Sequence, residues 1–216
     1  MSQEFLEAAT SGDVSKVKTM LQSDPALARL KDENGVSVIM KSTYYGKRDV
    51  VDALLESGVE LDVFEAAATG RTERLRELIA KNPSLVNTYS HDGFTPLGFA
   101  VFFGQPDVVK ALLNAGADVN LPSRESMKVT PLASAAAAKQ TELARLLIEH
   151  GANVNARAAS GHIPLHEASA NGNVELVKLL IENGADVNAK TDDGKTPLDF
   201  ATEYKQPEII RLLEKS

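Results

Sequence analysis

Four histidines, thirty acidic side chains and no cysteine bound the chemistry open to these 216 residues. His162 and His166 stand four apart, a spacing that can set two imidazoles one helical turn apart and begin a zinc site. Such a site needs three or four converging ligands, and without thiolates the rest would have to come from His91, His150 or carboxylates far along the chain. His162 also precedes Pro164 and so belongs to a turn rather than to the helix that follows. Asp192-Asp193-Gly194 and Asp32-Glu33-Asn34-Gly35 have the look of calcium-loop openings but lack the later ligands of such a loop. The chain contains neither a Gly-x-Gly-x-x-Gly nor a Walker pattern. Carboxylate pairs such as Glu73 and Glu77 have the spacing of neighbours on an exposed helix face. The expectation is no catalytic residue, no metal and no cofactor, and hence not an enzyme.

The elements that carry these residues repeat. Pro-Leu occurs at 96–97, 131–132, 164–165 and 197–198. Gly116-Ala117-Asp118-Val119-Asn120 returns as Gly151-Ala152-Asn153-Val154-Asn155 and Gly184-Ala185-Asp186-Val187-Asn188. Thr-Pro is a helix start: the hydroxyl caps free N–H groups and proline at the first position needs none. Gly104 and Gly172 are expected to end that first helix in a left-handed conformation. A second helix follows, with apolar pairs such as Val108-Val109 and Leu112-Leu113 forming one stripe. Neither helix can bury its apolar face alone, and stacking of successive units does so.

The first half carries a second symmetry. Residues 1–62 align with 59–120: Glu7-Ala8-Ala9 falls on Glu65-Ala66-Ala67, Gly12 on Gly70, Pro25 on Pro83, Gly35 on Gly93 and Gly58 on Gly116. The offset is 58 residues, read as a duplicated pair of units. In repeat five, Leu121–Val129 carries a two-residue excess, and Lys139 stands where the glycine between the two helices is expected.

Composition is that of an ordinary folded chain, with 43% hydrophobic and 25% charged residues and a net charge of -7. Both halves are acidic, 11 basic against 16 acidic residues and then 12 against 14, so the footprint of a nucleic-acid or anionic-membrane binder is missing. No apolar stretch has membrane-spanning length, and Met1–Leu6 does not read as a signal peptide. A cytoplasmic location is expected.

A period near 33 with Thr-Pro-Leu-(His)-x-Ala resembles the ankyrin-repeat family. The nearest copies are Ile163-Pro164-Leu165-His166-Glu167-Ala168, Thr196-Pro197-Leu198-Asp199-Phe200-Ala201 and Thr95-Pro96-Leu97-Gly98-Phe99-Ala100. The link Asn82-Pro83-Ser84-Leu85-Val86-Asn87 resembles that of bacterial members. The resemblance implies an all-α solenoid of about seven helix-turn-helix repeats with short β-hairpin-like loops. It would form one domain over 1–216, with repeats at approximately 1–31, 32–62, 63–89, 90–122, 123–157, 158–190 and 191–216. It also implies that His166 and the asparagines at 120, 155 and 188 tie turns together.

The family binds partner proteins through hairpin tips and the inner face of the first helix of each repeat. Carried onto this chain, those positions are Tyr44, Tyr45, Tyr89, His91, Asp92, Phe94, Phe102, Phe103 and Tyr204. Seven of the chain's eleven aromatic residues fall there. Independently of family, Leu97–Phe103 is a short helix with no polar face, and a contiguous apolar patch marks an interaction site. Phe102 and Phe103 read equally well as partner contacts or as contacts within the solenoid, whereas Phe99 and Phe200 read as core. With units stacked about 10 Å apart, Tyr44/Tyr45 and Phe102/Phe103 are expected about 20 Å apart across the small residues Ala68 and Thr69. The leading expectation is a scaffold or adaptor that holds another protein, as a monomer or weak homodimer through the aromatic concave patch. A self-associating or purely structural scaffold, a designed one included, is the alternative, followed by an enzyme built from scattered histidines and carboxylates.

Overall fold

The computed structural model describes residues 2–215. Among these, α-helices come in pairs: α1 (Ser2–Ser11) with α2 (Val14–Ser23), α3 (Val38–Tyr44) with α4 (Arg48–Glu56), α5 (Val63–Ala68) with α6 (Thr72–Lys81), and α7 (Pro96–Phe102) with α8 (Pro106–Asn114). Then follow α9 (Pro131–Ala137) with α10 (Thr141–Glu149), α11 (Pro164–Ala170) with α12 (Val174–Glu182), and α13 (Pro197–Glu203) with α14 (Pro207–Leu213). The odd-numbered helices pack on one another in chain order as an inner layer, and the even-numbered ones back them. One apolar core runs the length of the stack, from Phe5 and Val17 through Leu97 and Leu112 to Ala201 and Ile209.

Helix starts follow the local chemistry. The Thr95, Thr130 and Thr196 hydroxyls accept from the N–H groups of Gly98, Ala133 and Asp199. The early repeats lack Thr-Pro and use other oxygens: Ser37 accepts from Met40 N–H, and Asp62 accepts from Phe64 and Glu65 N–H. Glu65 completes a capping box by accepting from Asp62 N–H at 3.0 Å. Its carboxyl is buried, and that burial pushes it above the usual carboxylate range. Between paired helices the chain turns left-handed. Gly104 and Gly172 do so at φ 67° and 78°, but Lys139 and Lys205 must do so as non-glycine residues at 58° and 56°.

The connecting loops are hairpin-like without extended strands among the described residues. Each closes on a backbone bond such as Ser90 N–H to Phe94 O or Thr191 N–H to Lys195 O. In repeat five the same bond runs from Ser123 to Val129, which accommodates the two extra residues. Neighbouring loops join tip to tip: Arg124, Ala159 and Asp192 donate their N–H groups to the carbonyls of Gly93, Met127 and Ser160 at 2.8–2.9 Å.

Repeat three breaks this pattern. The link from α4 to α5 is only 57–62, whereas α2 to α3 takes 24–37 and α6 to α7 takes 82–95. It is eight residues shorter and forms no hairpin. This explains the offset of 58, which is eight short of twice 33. On the outer side, an open groove of about 980 Å³ lies between α4 and α6, with Leu55, Val59 and Leu61 in its wall. Arg71 bridges it to Asp52 at 2.7 Å. On the inner side, no loop stands between those of repeats two and four.

Candidate functional site

The last residue of an inner helix and the cap residue after it end the inner layer, and their exposure differs from repeat to repeat. At these two positions stand Tyr44 and Tyr45 in α3, Ala68 and Thr69 in α5, Phe102 and Phe103 in α7, and Glu203 and Tyr204 in α13. Tyr45, Phe102 and Tyr204 are more than half exposed, at 60%, 52% and 55%. An aromatic ring left this open in water is the exception for a monomer surface only when several gather, and here the rings of α3 and α7 do gather.

The gathering differs from the spacing expected from repeat geometry. Tyr44 does not stand about 20 Å from the repeat-four pair: its ring centroid is 5.4 Å from that of Phe103 and 6.5 Å from that of Phe99. Two causes act together. Ala68 and Thr69 offer no side chain large enough to hold the pairs apart, and the missing hairpin of repeat three leaves the space above α5 open. Tyr44 leans through that space and donates its hydroxyl to Asp92 Oδ2 at 3.2 Å. Burial, followed by the carboxylates of Asp92 and Glu125, pushes its phenol well above the usual tyrosine range.

Around Tyr44 the rings form a continuous cluster. Phe99 is the buried hub, contacting Phe64 at 6.1 Å, Phe94 at 5.3 Å and Phe103 at 6.2 Å. Phe103 is half-buried and meets Phe102 edge-on at 5.0 Å. The two phenylalanines therefore divide the roles left open by the sequence: Phe103 packs within the solenoid, and Phe102 faces out. Phe94 is half-buried, with its ring beside Gly98.

The remaining candidates lie apart from this cluster or serve the loops. Tyr89 is half-buried, with its hydroxyl on Pro122 O at 3.0 Å and the Arg124 guanidinium 3.8 Å over its ring. His91 is open to solvent at the loop tip, 3.8 Å from Asp92. Tyr204 caps α13, three repeats further on, and joins no ring of the cluster. Phe200, expected in the core, is only half-buried and packs on the rings of His162 and His166.

The two neighbouring histidines are engaged in hydrogen bonds around the turn. His166 Nδ1 accepts from Ile163 N–H at 3.1 Å, so its proton sits on Nε2 and is shared with the carbonyls of Ala189 and Lys195. It bonds back to the cap residue Ile163 as Glu65 does to Asp62, and burial holds it below the usual histidine range. His162 Nδ1 faces Glu167 at 3.0 Å. Among the described residues no cluster of three or more histidines and carboxylates is placed to hold a metal, and no helix is long and apolar enough to cross a membrane.

The asparagines form a ladder. Asn120 donates to Gly151 O and accepts from Asn153 N–H; Asn155 does the same with Gly184 and Asp186. Asn87 makes the equivalent bonds to Gly116 and Asp118. Its position 33 residues before Asn120 is the sequence signal that would have added it to the series. Sequence reasoning also did not anticipate Met127, 52% exposed at the tip of the longer loop.

Among known proteins, the chain is similar over 77 residues, at 44% identity, to the serine/threonine-protein kinase VIK of Arabidopsis thaliana. That match covers 36% of this chain and 17% of the kinase. It is 28% identical over 166 residues to a putative ankyrin repeat protein, FPV014, of Fowlpox virus, covering 72% of this chain and 37% of the viral protein. It is 37% identical over 84 residues to the human DNA-binding protein RFXANK, covering 39% and 32% of the two chains. The chain thus spans well under two thirds of each of these relatives. The family described as Ankyrin repeats (3 copies) matches residues 5–123, 63–158, 121–191 and 156–216. Stacked helix pairs, hairpin loops joined tip to tip, an asparagine ladder and this match over nearly every residue place the chain in the ankyrin-repeat family.

Proposed function

We propose that this chain is a scaffold or adaptor that holds a partner protein on its inner face and catalyses no reaction itself. Ankyrin repeats are in general protein–protein interaction modules, and the family is typically non-catalytic. The observation that carries the reading is the aromatic cluster of Tyr44, Phe94, Phe99, Phe102 and Phe103, with Tyr45 and Phe102 open beside it. Fixed rings are good anchors, because a tyrosine or phenylalanine loses little conformational freedom on binding and hides a large area. The cluster is also pre-organised: Phe99 supports it from below and Tyr44 is pinned to Asp92. Tyr89, His91, Asp92 and Phe94 supply the loop-side border of the same face.

The test is affinity capture from cell lysate with wild type and the double variant Tyr45→Ala/Phe102→Ala. Tyr45 is mostly exposed but Phe102 also meets Phe103 at 5.0 Å, so the variant is expected to keep wild-type helicity with a somewhat lower melting temperature, and capture is compared well below it. Loss of a specific captured protein in the folded variant supports the face; undiminished capture removes it. A dimer formed through the same patch would appear as concentration-dependent sedimentation abolished by the double variant, and would favour the self-associating alternative.

A further inference from the structure

The links between helix pairs differ in how firmly their backbone is anchored. After the glycine that ends an outer helix, Ala117, Ala152 and Ala185 donate their N–H groups to the carbonyls of Leu112, Leu147 and Leu180 at 2.9–3.0 Å. Gly58 is the matching glycine after α4, at φ 78° with nothing within 4 Å of where a Cβ would stand. Among the described residues, Val59, Glu60 and Leu61 donate no hydrogen bond through their N–H groups. Leu61 is buried and its carbonyl accepts from Arg74 Nε at 3.2 Å, so the link is fixed to repeat three at its far end. That leaves Val59 and Glu60, directly after Gly58, as a stretch able to absorb a change in φ and ψ, as hinges do.

The boundary crossed by this link also lacks the lateral bonds found further along. Gln105 Nε2 donates to Ala68 O at 3.0 Å, Asn171 Nδ2 to Ala136 O at 2.8 Å and Gln206 Nε2 to Ala170 O at 3.2 Å, each joining one repeat to the one before. At the position of Gln105, repeat three has Arg71, whose guanidinium meets Asp52 on the exposed outer edge instead. Among the described residues no tip-to-tip bond is made there, because repeat three has no hairpin, and the outer groove separates α4 from α6. What crosses the seam is the packing of α3 on α5, the Ser37 hydroxyl beside the Glu65 carboxyl and the Arg71–Asp52 pair. A pair this exposed adds little.

One side chain bypasses the seam. Tyr44, at the end of α3, lays its ring on Phe103 of repeat four and bonds to Asp92 in the loop of that repeat. We infer that repeats one and two form a body that swings about 58–60 against repeats three to seven, and that Tyr44 is the latch that holds the two bodies closed. The hinge itself does not depend on the aromatic face being a binding face; its consequence does. That face takes Tyr45 from the first body and Phe102 from the second, so a partner lying across both rings is gripped only while the latch is closed. A ligand that touches both bodies in turn favours the closed form.

The chain has no cysteine, so spin labels go only where cysteines are introduced. Gln22→Cys with Lys110→Cys spans repeats one to four, across the hinge. Lys110→Cys with Arg211→Cys spans repeats four to seven and is the control; all three positions are exposed. Double electron–electron resonance on each pair is compared in the wild-type background, in Tyr44→Ala and in Phe103→Ala, which leaves repeat two unaltered. With units stacked about 10 Å apart, each pair starts at about 30 Å. In the wild-type background both distributions are expected to be narrow. Each variant should keep wild-type helicity and add to the pair across the hinge a component displaced by about 5 Å or more, while the control pair stays as it was. An unchanged distribution across the hinge in either folded variant would overturn the inference. Equal broadening of the control pair would do so too, since it would mean a solenoid that flexes evenly. A wild-type distribution already as broad as that of the variants would remove Tyr44 as the latch. If Tyr44→Ala loses helicity, Phe103→Ala decides. Failure of the aromatic face in the capture assay would remove the consequence for binding and leave these distances as they are.

Discussion

Replacement of Tyr44 by alanine tests whether repeats two and four truly touch across repeat three. The Tyr44 ring is 42% exposed, so a little over half of it is hidden. A buried tyrosine hides roughly 200 Å², so the hidden part is about 100 Å². At about 25 cal/mol per Å², its loss costs about 2 kcal/mol once the retained Cβ is allowed for. The hydroxyl bond to Asp92 is 3.2 Å long and solvent-facing, and contributes below about 1 kcal/mol. Tyr44→Phe isolates that smaller part. Phe103→Ala, which removes another half-buried ring, should cost about 2 kcal/mol. Because the two centroids are 5.4 Å apart, the costs should not add: an aromatic pair in contact is coupled by about 1 kcal/mol. The assay is urea unfolding of wild type, both single variants and the double variant, with slopes compared to check that the cycle is valid. A coupling energy below about 0.3 kcal/mol would mean that the rings stand as independent pairs, and the account of repeat three as a recessed unit bridged from above would fail.

Other expectations follow from single residues. Lys139→Gly should raise stability by about 0.5–1 kcal/mol, since a left-handed lysine costs about 1–2 kcal/mol and glycine returns part of that through the unfolded chain; thermal melting reads it, and an unchanged or lower value would refute the strain at φ 58°. His166→Ala should cost about 2 kcal/mol by leaving Ile163 N–H and the Ala189 carbonyl without their partner. Its folded pKa is depressed, so the unfolded chain takes up the proton first; wild-type stability should fall as pH drops below about 6.5 toward the lowered folded value. That slope should be shallower in His166→Ala, and identical pH profiles would contradict a buried neutral imidazole. Asn120→Ala breaks one rung of the ladder at Gly151 and Asn153 and should cost about 1–2 kcal/mol, with local amide exchange rising first around 150–154.

The fold was readable because each unit announces itself twice, once at Thr-Pro-Leu and once at Gly-Ala-Asp-Val-Asn, and both signals have local physical causes. Lys139 was legible for the same reason, as a residue occupying a slot that the turn requires to be left-handed. The aromatic positions were assigned to the inner face by carrying the family's partner-facing positions onto this repeat register. Their mutual contacts could not be assigned in that way. The distance between Tyr44 and Phe103 depends on an eight-residue shortening of the 57–62 link and on what fills the opening, and the offset of 58 recorded that deletion without saying where it fell. The split between Phe102 and Phe103 was equally hidden, because two adjacent identical residues carry no pattern that says which one turns inward.

The central claim is that a partner protein is held by the exposed rings of α3 and α7. The most direct measurement is isothermal titration of a captured partner against wild type, Tyr45→Ala/Phe102→Ala and an outer-face control, Lys110→Ala, each with wild-type helicity at the temperature of the titration. Two aromatic anchors of about 2 kcal/mol each, if additive, predict a loss of several hundred-fold, about 4 kcal/mol, in the double variant and no change in the control. An affinity for the double variant within twofold of wild type would contradict the account.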